Sequence, residues 1–277
     1  MSKIYLITGV STGFGRAIAE AAIAAGDTVV GTVRKDADIA AFEALSPKAH
    51  ARKLDVTDTA AIALLIADVE KTVGAVDVLV NNAGYGSEGI LEESSLDEVR
   101  HQFEVNVFGP VAMIQAILPY MRARKSGRII NITSMGGFIT IPGISLYHGS
   151  KFALEGIGET LGKEVAHLGI KVTNLEPGGF RTDWAGRSMT RTERSISDYD
   201  AVMDPVRQRR LDYHGKQVGD PAKLGQAVVD LVENPNPPAH LLLGSDALRM
   251  VREKLTGLLA EIDANEPVTL STDFEGN

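Results

Sequence analysis

The chain has no cysteine, a single tryptophan and no excess of basic residues. Without cysteine there can be no disulfide, no thiolate nucleophile and no cysteine-based zinc site. That is compatible with a reducing compartment, and a cytoplasmic protein is expected. Acidic side chains outnumber basic ones, 36 to 28, for a net charge of −8 and a pI near 5.3. This balance argues against nucleic acid or an anionic membrane as the main partner. No run of 18 apolar residues exists, so no membrane-spanning segment is expected. The start, Met1 to Thr8, lacks the apolar stretch of a leader and is expected to form a first strand. Internal repeats, low-complexity tracts and interdomain linkers are also missing. What is present is ordinary globular material. In 277 residues, 44% are hydrophobic and 23% charged, enough for a large core.

The stretch around which the rest is organised is Tyr147-His148-Gly149-Ser150-Lys151. On a helix it sets a phenol and an ammonium at i and i+4, on one face. A free tyrosine titrates near 10, and an adjacent cation favours the phenolate and lowers that value. Such a pair can act as a proton donor and acceptor.

Upstream, the apolar run Ile4 to Thr8 leads into Thr8-Gly9-Val10-Ser11-Thr12-Gly13-Phe14-Gly15, and an alanine-rich helical stretch follows from Arg16 to Ala25. Strand, glycine-rich turn and helix in that order form the phosphate-binding opening of a doubly wound sheet. Gly9 suits the tight turn, Gly13 a close approach of backbone to pyrophosphate, and Gly15 close packing of helix on strand. The helix start would turn unpaired N–H groups toward the phosphates.

Further strands are expected at Thr28–Val33, Ala49–Leu54, Val76–Val80, Arg128–Thr133, Ile170–Leu175 and His240–Leu243. Helices are expected between them. Arg34 ends the second strand, about 20 positions past the glycine turn. An arginine there accommodates the 2′-phosphate of NADP, whereas a carboxylate would hold the ribose hydroxyl of NAD. Asp55 and Val56 close the third strand. Asp55 is as well explained by a turn as by an adenine contact. The fourth strand runs into Asn81-Asn82-Ala83-Gly84, small residues suited to a floor beneath a flat ligand. Ser95 and Glu98 form a capping box for a long helix to about Arg124, with Asn106 inside it and a bend expected from Pro110. Ser134 follows the fifth strand.

Residues 183–219 are irregular and mixed, and a lid over the carboxyl edge of the sheet is expected there. Residues 245–277 are expected to form an amphipathic helix and a loose tail. The regular alternation predicts one α/β domain over residues 1–277, with a doubly wound parallel sheet of about seven strands and helices on both faces.

The ordered set TGVSTGFG at 8–15, DV at 55–56, NNAG at 81–84, Asn106, Ser134, YHGSK at 147–151 and PGGFRT at 177–182 resembles the short-chain dehydrogenase/reductase family. The resemblance spans about residues 3 to 245. It implies a Rossmann-type fold holding NAD or NADP, with NADP(H) favoured by Arg34. It implies that Tyr147 is the general acid/base, that Lys151 lowers its pKa and holds the nicotinamide ribose, that Ser134 binds the substrate oxygen, and that Asn106 supports a water in a proton relay. It further places Gly9, Ser11, Thr12, Gly13, Phe14 and Gly15 around the phosphates, Asp55 and Val56 at the adenine, and Asn82, Ala83 and Gly84 at the ribose and sheet edge. Pro177, Gly178, Phe180 and Thr182 would contact the nicotinamide half. The implied activity is that of a carbonyl reductase or alcohol dehydrogenase acting on a small molecule, in a dimer or tetramer, with no metal. The rival is an NADP(H)-binding regulator without turnover; such proteins typically lose the tyrosine or the lysine, and both are present here. A nucleoside-sugar epimerase relationship is disfavoured by the short C-terminal region.

Overall fold

The computed structural model describes residues 2–185 and 188–274, so residues 186–187 of the expected lid and 275–277 of the tail lie outside the described residues. Strands β1 (Ile4–Ile7), β2 (Thr28–Val33), β3 (Ala49–Lys53) and β4 (Val78–Asn81) alternate with helices α1 (Gly13–Ala24), α2 (Ala37–Glu43) and α3 (Thr59–Thr72). A short strand β5 (Gly86–Glu88) precedes α4 (Leu96–Phe103) and α5 (Gly109–Arg124). Then follow β6 (Gly127–Ile132), α6 (Ser145–Val165), β7 (Ile170–Pro177), β8 (Met189–Arg191), α7 (Asp200–Tyr213), α8 (Pro221–Glu233), β9 (His240–Leu243), α9 (Ser245–Ala264) and α10 (Glu266–Leu270).

Seven strands form one parallel sheet in the order β3-β2-β1-β4-β6-β7-β9. The strands read as apolar runs because helices cover both faces, and side chains alternate between them. Tyr5 and Ile7 join a core with Ile18 and Ala22 of α1 and Val228 of α8. Leu6, between them, joins the opposite core with Ile66 of α3, Ile117 of α5 and Leu161 of α6. The order runs outward in both directions from the β1/β4 pair, which makes that the switch point where a crevice opens at the strands' carboxyl ends. The glycine turn follows β1 and Asn82-Ala83-Gly84 follows β4, so both flank this crevice.

Three expectations need correction. The long helix from Ser95 is capped as expected, with Ser95 and Glu98 in a capping box. It is interrupted, however, by a π-helical turn at Glu104–Phe108, and Pro110 sits in the first turn of α5. The π turn is closed by the Gly109 N–H, which donates to the Glu104 carbonyl. The segment after Asp183 is not irregular. It contains β8, which pairs in parallel with β5, and the 14-residue helix α7. Third, the expected loose tail contains the short helix α10. Among the described residues no helix is long and apolar enough to cross a membrane.

Candidate active site

The glycine turn is built from backbone freedom and from absent side chains. Gly13 has φ +61, which a side chain would strain, and a Cβ there would point into open space. At Gly15 a Cβ would meet the Gly9 carbonyl at 2.3 Å and the Asn82 amide at 2.5 Å, so only glycine closes the turn against β4. The contact is held by Asn82, whose Nδ2 donates to the carbonyls of Thr8 and Gly9 at 2.8 and 2.9 Å. The Thr8 hydroxyl accepts the N–H groups of Asn82 and Ala83, both at 2.9 Å. Thr12 caps α1 without a side-chain bond, leaving first-turn N–H groups aimed into the crevice.

Tyr147 and Lys151 lie one turn apart in the first half of α6, both buried. The Lys151 Nζ stands 5.7 Å from the centre of the Tyr147 ring and donates to the Ile132 carbonyl at 2.8 Å. Burial pushes the Tyr147 phenol up to about 12, while a hydrogen bond with the Ser134 side chain pulls the other way. Burial pushes the Lys151 ammonium down to about 8, against the carboxylate of Glu155 one turn further on. The expected lowering of the tyrosine by the lysine is therefore outweighed here, because desolvation disfavours both charged forms. At neutral pH the phenol keeps its proton.

Ser134 leaves β6 with extended backbone, and its Oγ accepts the Gly136 N–H at 3.0 Å. The turn that carries it is clamped by His148, which sits beside Tyr147 on α6. His148 Nε2 accepts the Ile141 N–H and Nδ1 donates to the Gly136 carbonyl, both at 2.8 Å. That pattern fits a neutral imidazole, and burial lowers the His148 pKa. The role of His148 is not visible in the motif. Its partners lie seven and twelve residues away and form only when the turn folds back.

Asn106 sits in the π turn and is buried. Its Oδ1 accepts the Tyr85 N–H at 3.1 Å, and its Nδ2 donates to the Tyr85 carbonyl at 2.9 Å and the Ser150 hydroxyl at 3.1 Å. The amide thus ties the strand end after β4 to the helix of Tyr147 and Lys151.

A cleft of about 460 Å³ connects these groups. Gly9, Ser11, Thr12, Gly13, Phe14, Arg34, Asp55, Val56, Asn82, Ala83, Gly84, Tyr147, Lys151 and Thr182 line it, but Gly15, Asn106, Ser134, Pro177, Gly178 and Phe180 do not. Phe180 is buried, edge-on to Phe14 at 5.2 Å between ring centres. A Cβ at Gly178 would meet the Asp246 carboxylate at 2.2 Å, and Gly178 donates its N–H to the Leu243 carbonyl at 2.8 Å. In this structure the Pro177 to Phe180 segment seals the end of β7 and Thr182 faces the cleft. Asp55 makes the expected turn, its Oδ1 accepting from the N–H and hydroxyl of Thr57 at 3.0 and 2.8 Å, and the residue also lines the cleft. Those bonds, chiefly the backbone one, hold its pKa low.

Sequence reasoning missed the contact of Trp184 with Tyr147. Its indole packs on the Tyr147 ring at 5.2 Å between centres and fills the space over Gly86, where a Cβ would meet it at 2.8 Å. The available signal was the position of the single tryptophan, just past the PGGFRT motif. The segment that carries it is fastened by charge. Glu88, 3% exposed, receives Arg210 at 2.6 Å, Arg207 at 3.2 Å and Arg191 at 3.7 Å.

Behind Lys151 a buried polar chain runs through the sheet. Asn81 donates to Asn131 at 2.9 Å, Asn131 to Asn174 at 3.0 Å, and Asn174 to the Glu155 carboxylate at 2.8 Å. Glu176 lies next to Glu155, and His240 stands 2.8 Å from the first and 3.3 Å from the second. Burial and then the Glu155 charge push Glu176 from 4.5 up to about 7. Between those two values the folded state keeps a proton that the unfolded chain has released, so stability falls as pH rises through that window. Stability should accordingly fall by up to about 3 kcal/mol between pH 5 and pH 7, seen as a drop in melting temperature that Glu176→Gln should flatten. A Gln variant with the wild-type pH profile would refute this.

A family model described as short chain dehydrogenase matches residues 3–193. An oxidoreductase, BOA17, of Botryotinia fuckeliana (strain B05.10) is 39% identical over 254 residues, 90% of this chain and 91% of that protein. A 3-ketodihydrosphingosine reductase of Bacteroides thetaiotaomicron is 36% identical over 244 residues, 87% of this chain and 88% of that one. The crystal structure of a short-chain dehydrogenase from Streptomyces avermitilis superposes with a TM-score of 0.92 at 43% identity, covering 99% of this chain and all of that one.

Proposed function

The chain belongs to the short-chain dehydrogenase/reductase family of oxidoreductases, and we propose that it moves a hydride between NADP(H) and the carbon of a ketone or secondary alcohol. The observation that carries this is the buried, protonated Tyr147 phenol beside Ser134, with Lys151 one turn on, in a cleft continuous with the glycine turn.

The residues present fit a dinucleotide. Gly13 leaves open space at the start of α1, which a pyrophosphate would use, and Arg34 and Lys151 line the same cleft, where they would meet a 2′-phosphate and the nicotinamide ribose. A bound nicotinamide would supply or accept the hydride. In the reducing direction the substrate oxygen would sit between the Ser134 and Tyr147 hydroxyls. Ser134 steadies the growing charge and Tyr147 gives up its proton. Lys151, protonated below about pH 8, offsets the phenolate that remains. Trp184 and Tyr85 give the substrate end of the cleft apolar walls, which suits a partly hydrophobic ketone or alcohol. The keto substrate in the name of the Bacteroides relative is consistent with that class. A panel of ketones and secondary alcohols, followed by NADPH absorbance, tests the proposal. Turnover of at least one member is expected. Tight NADPH binding without turnover across the panel would instead favour a regulatory protein.

Within this proposal residues 183–219 are a lid, hinged after β7 and latched by Glu88. Limited proteolysis of the catalytic body, residues 3–245, should cut first in that segment, and NADPH with substrate should slow the cut. Glu88→Ala should speed it severalfold, because three arginines lose their shared carboxylate. A first cut within residues 3–180 would count against a lid.

A further inference from the structure

Helix α9 begins on the domain and runs off it. Ala247 and Val251 are buried, yet from Arg252 to Phe274 every residue is exposed. The apolar side chains on α9 recur at Leu248, Val251, Leu255, Leu258 and Ile262, alternating steps of three and four. At 3.6 residues per turn these fall on one side of the helix together with Ala247. The stripe that docks the first turns onto the domain therefore continues along bare helix. Leu255, Leu258 and Ile262 are 43%, 39% and 55% exposed, and Leu259 beside them 62%. The bare part of α9, from Arg252 to Ala264, is about as short as a lone helix that is marginal in water, and contiguous exposed apolar surface marks an interaction site. Steps of three and four also form the seam of a two-stranded coiled coil, here widened on one side by Leu259.

The charges beside the seam identify the occupant. With Leu248, Leu255 and Ile262 at a and Val251 and Leu258 at d, the g positions hold Lys254 and Glu261. Neither has an ionic partner in its own chain among the described residues, whereas Arg249 and Glu253, on the outer face, pair with each other at 3.2 Å. If a second α9 lies antiparallel, so that Leu255 layers on the second copy's Leu258, g faces g. Lys254 then meets the second copy's Glu261, and two-fold symmetry makes the pair twice. In a parallel coil g faces e, and Lys254 would meet Leu259, with no charge to answer it. We propose that α9 is a self-association arm that pairs antiparallel with α9 of a second copy. Its seam is centred on Leu255 and Leu258, with Ile262 at the edge of the paired stretch and Lys254 and Glu261 matched across it. This association is independent of catalysis and of the proposed substrate.

The absence of cysteine makes the test clean. Full-length Leu255→Cys and Leu258→Cys proteins, mixed and oxidised, should give a disulfide dimer containing one of each. Either variant alone should crosslink much less. Equally fast crosslinking of Leu255→Cys with itself would mean a parallel coil, and no crosslink in the mixture would mean no coil; either overturns the proposal. By sedimentation, Leu258→Asp/Ile262→Asp should lower the assembly by one step, dimer to monomer or tetramer to dimer, with an unchanged NADPH affinity showing that the domain is intact. Lys254→Glu should raise the dissociation constant about tenfold, two attractive pairs becoming repulsive, and Lys254→Glu/Glu261→Lys should restore it. A wild-type monomer at high micromolar concentration, or a Lys254→Glu variant that associates like wild type, would also overturn the assignment.

Discussion

Replacing Tyr147 with Phe is expected to lower turnover by about 10²–10⁴-fold, the usual loss when a general acid is removed, while NADPH affinity stays nearly unchanged. The ring keeps its packing on Trp184, at 5.2 Å between centres, and α6 keeps its backbone and Lys151. Only the hydroxyl is lost, and its hydrogen-bond partner is Ser134. The Ser134 hydroxyl also accepts the Gly136 N–H, and His148 holds that turn independently, so Ser134 should remain in place. The pH profile separates the two roles. The phenol, pushed up to about 12, is protonated throughout the neutral range. The group that titrates within reach is Lys151, lowered by burial to about 8. Its positive charge is full below that value and lost above it, so the wild-type reduction rate should decline as pH rises past about 8. Steady-state rates on any accepted ketone, with NADPH affinity by fluorescence, decide the matter. A Phe variant with wild-type kcat would remove Tyr147 from the chemistry.

What could be foreseen from sequence follows the range of the interactions involved. The sheet was legible because its strands are local apolar runs, and the glycine turn because Gly9, Gly13 and Gly15 lie within seven consecutive residues. Tyr147 and Lys151 were legible for the same reason, being one helical turn apart. Their electrostatic balance was not. Burial of both groups is a property of the folded core, and it reverses the direction expected from the pair alone. The π turn around Asn106 is not announced locally by more than Pro110, and Asn106 within it bonds to Tyr85, 21 residues back. Strand β8 spans three residues and owes its existence to β5, about a hundred residues earlier, so no local pattern announces it. The convergence of three arginines on Glu88 is hidden for the same reason, since their spacing reads as a solvated face until α7 folds over β5. Phe180 shows the opposite limit. It belongs to a recognisable motif, yet here it is a core residue against Phe14, because motif membership fixes the neighbourhood of a side chain but not its direction.

Replacing Arg34 with Ala is expected to weaken NADPH by about tenfold or more and to leave NADH almost untouched. A hydrogen bond to a charged group contributes about 1.5–3 kcal/mol, and the exposure of Arg34 places the effect toward the lower end. The selectivity follows from chemistry, because only NADPH carries the 2′-phosphate that a guanidinium can grip with two parallel bonds. Arg34 lines the cleft just past β2, and Ser11 on the glycine turn lines it too. The carboxylates that could have held the ribose of NAD are drawn elsewhere. Asp36 stands just before α2 and its carboxylate pairs with Lys53 at 2.8 Å, and Asp38 lies in the first turn of that helix. Asp55 does share the cleft, and its negative charge acts on Arg34, but its Oδ1 is committed to Thr57. On the proposed reading the Arg34 guanidinium would be the group left to meet the 2′-phosphate. An alternative role as a plain solvated strand end predicts equal and small losses for both cofactors. Dissociation constants of NADPH and NADH for wild type and Arg34→Ala separate the two, and raising the salt concentration should erode only the NADPH difference. Equal losses for the two cofactors, or a wild-type preference for NADH, would show that Arg34 does not select the cofactor.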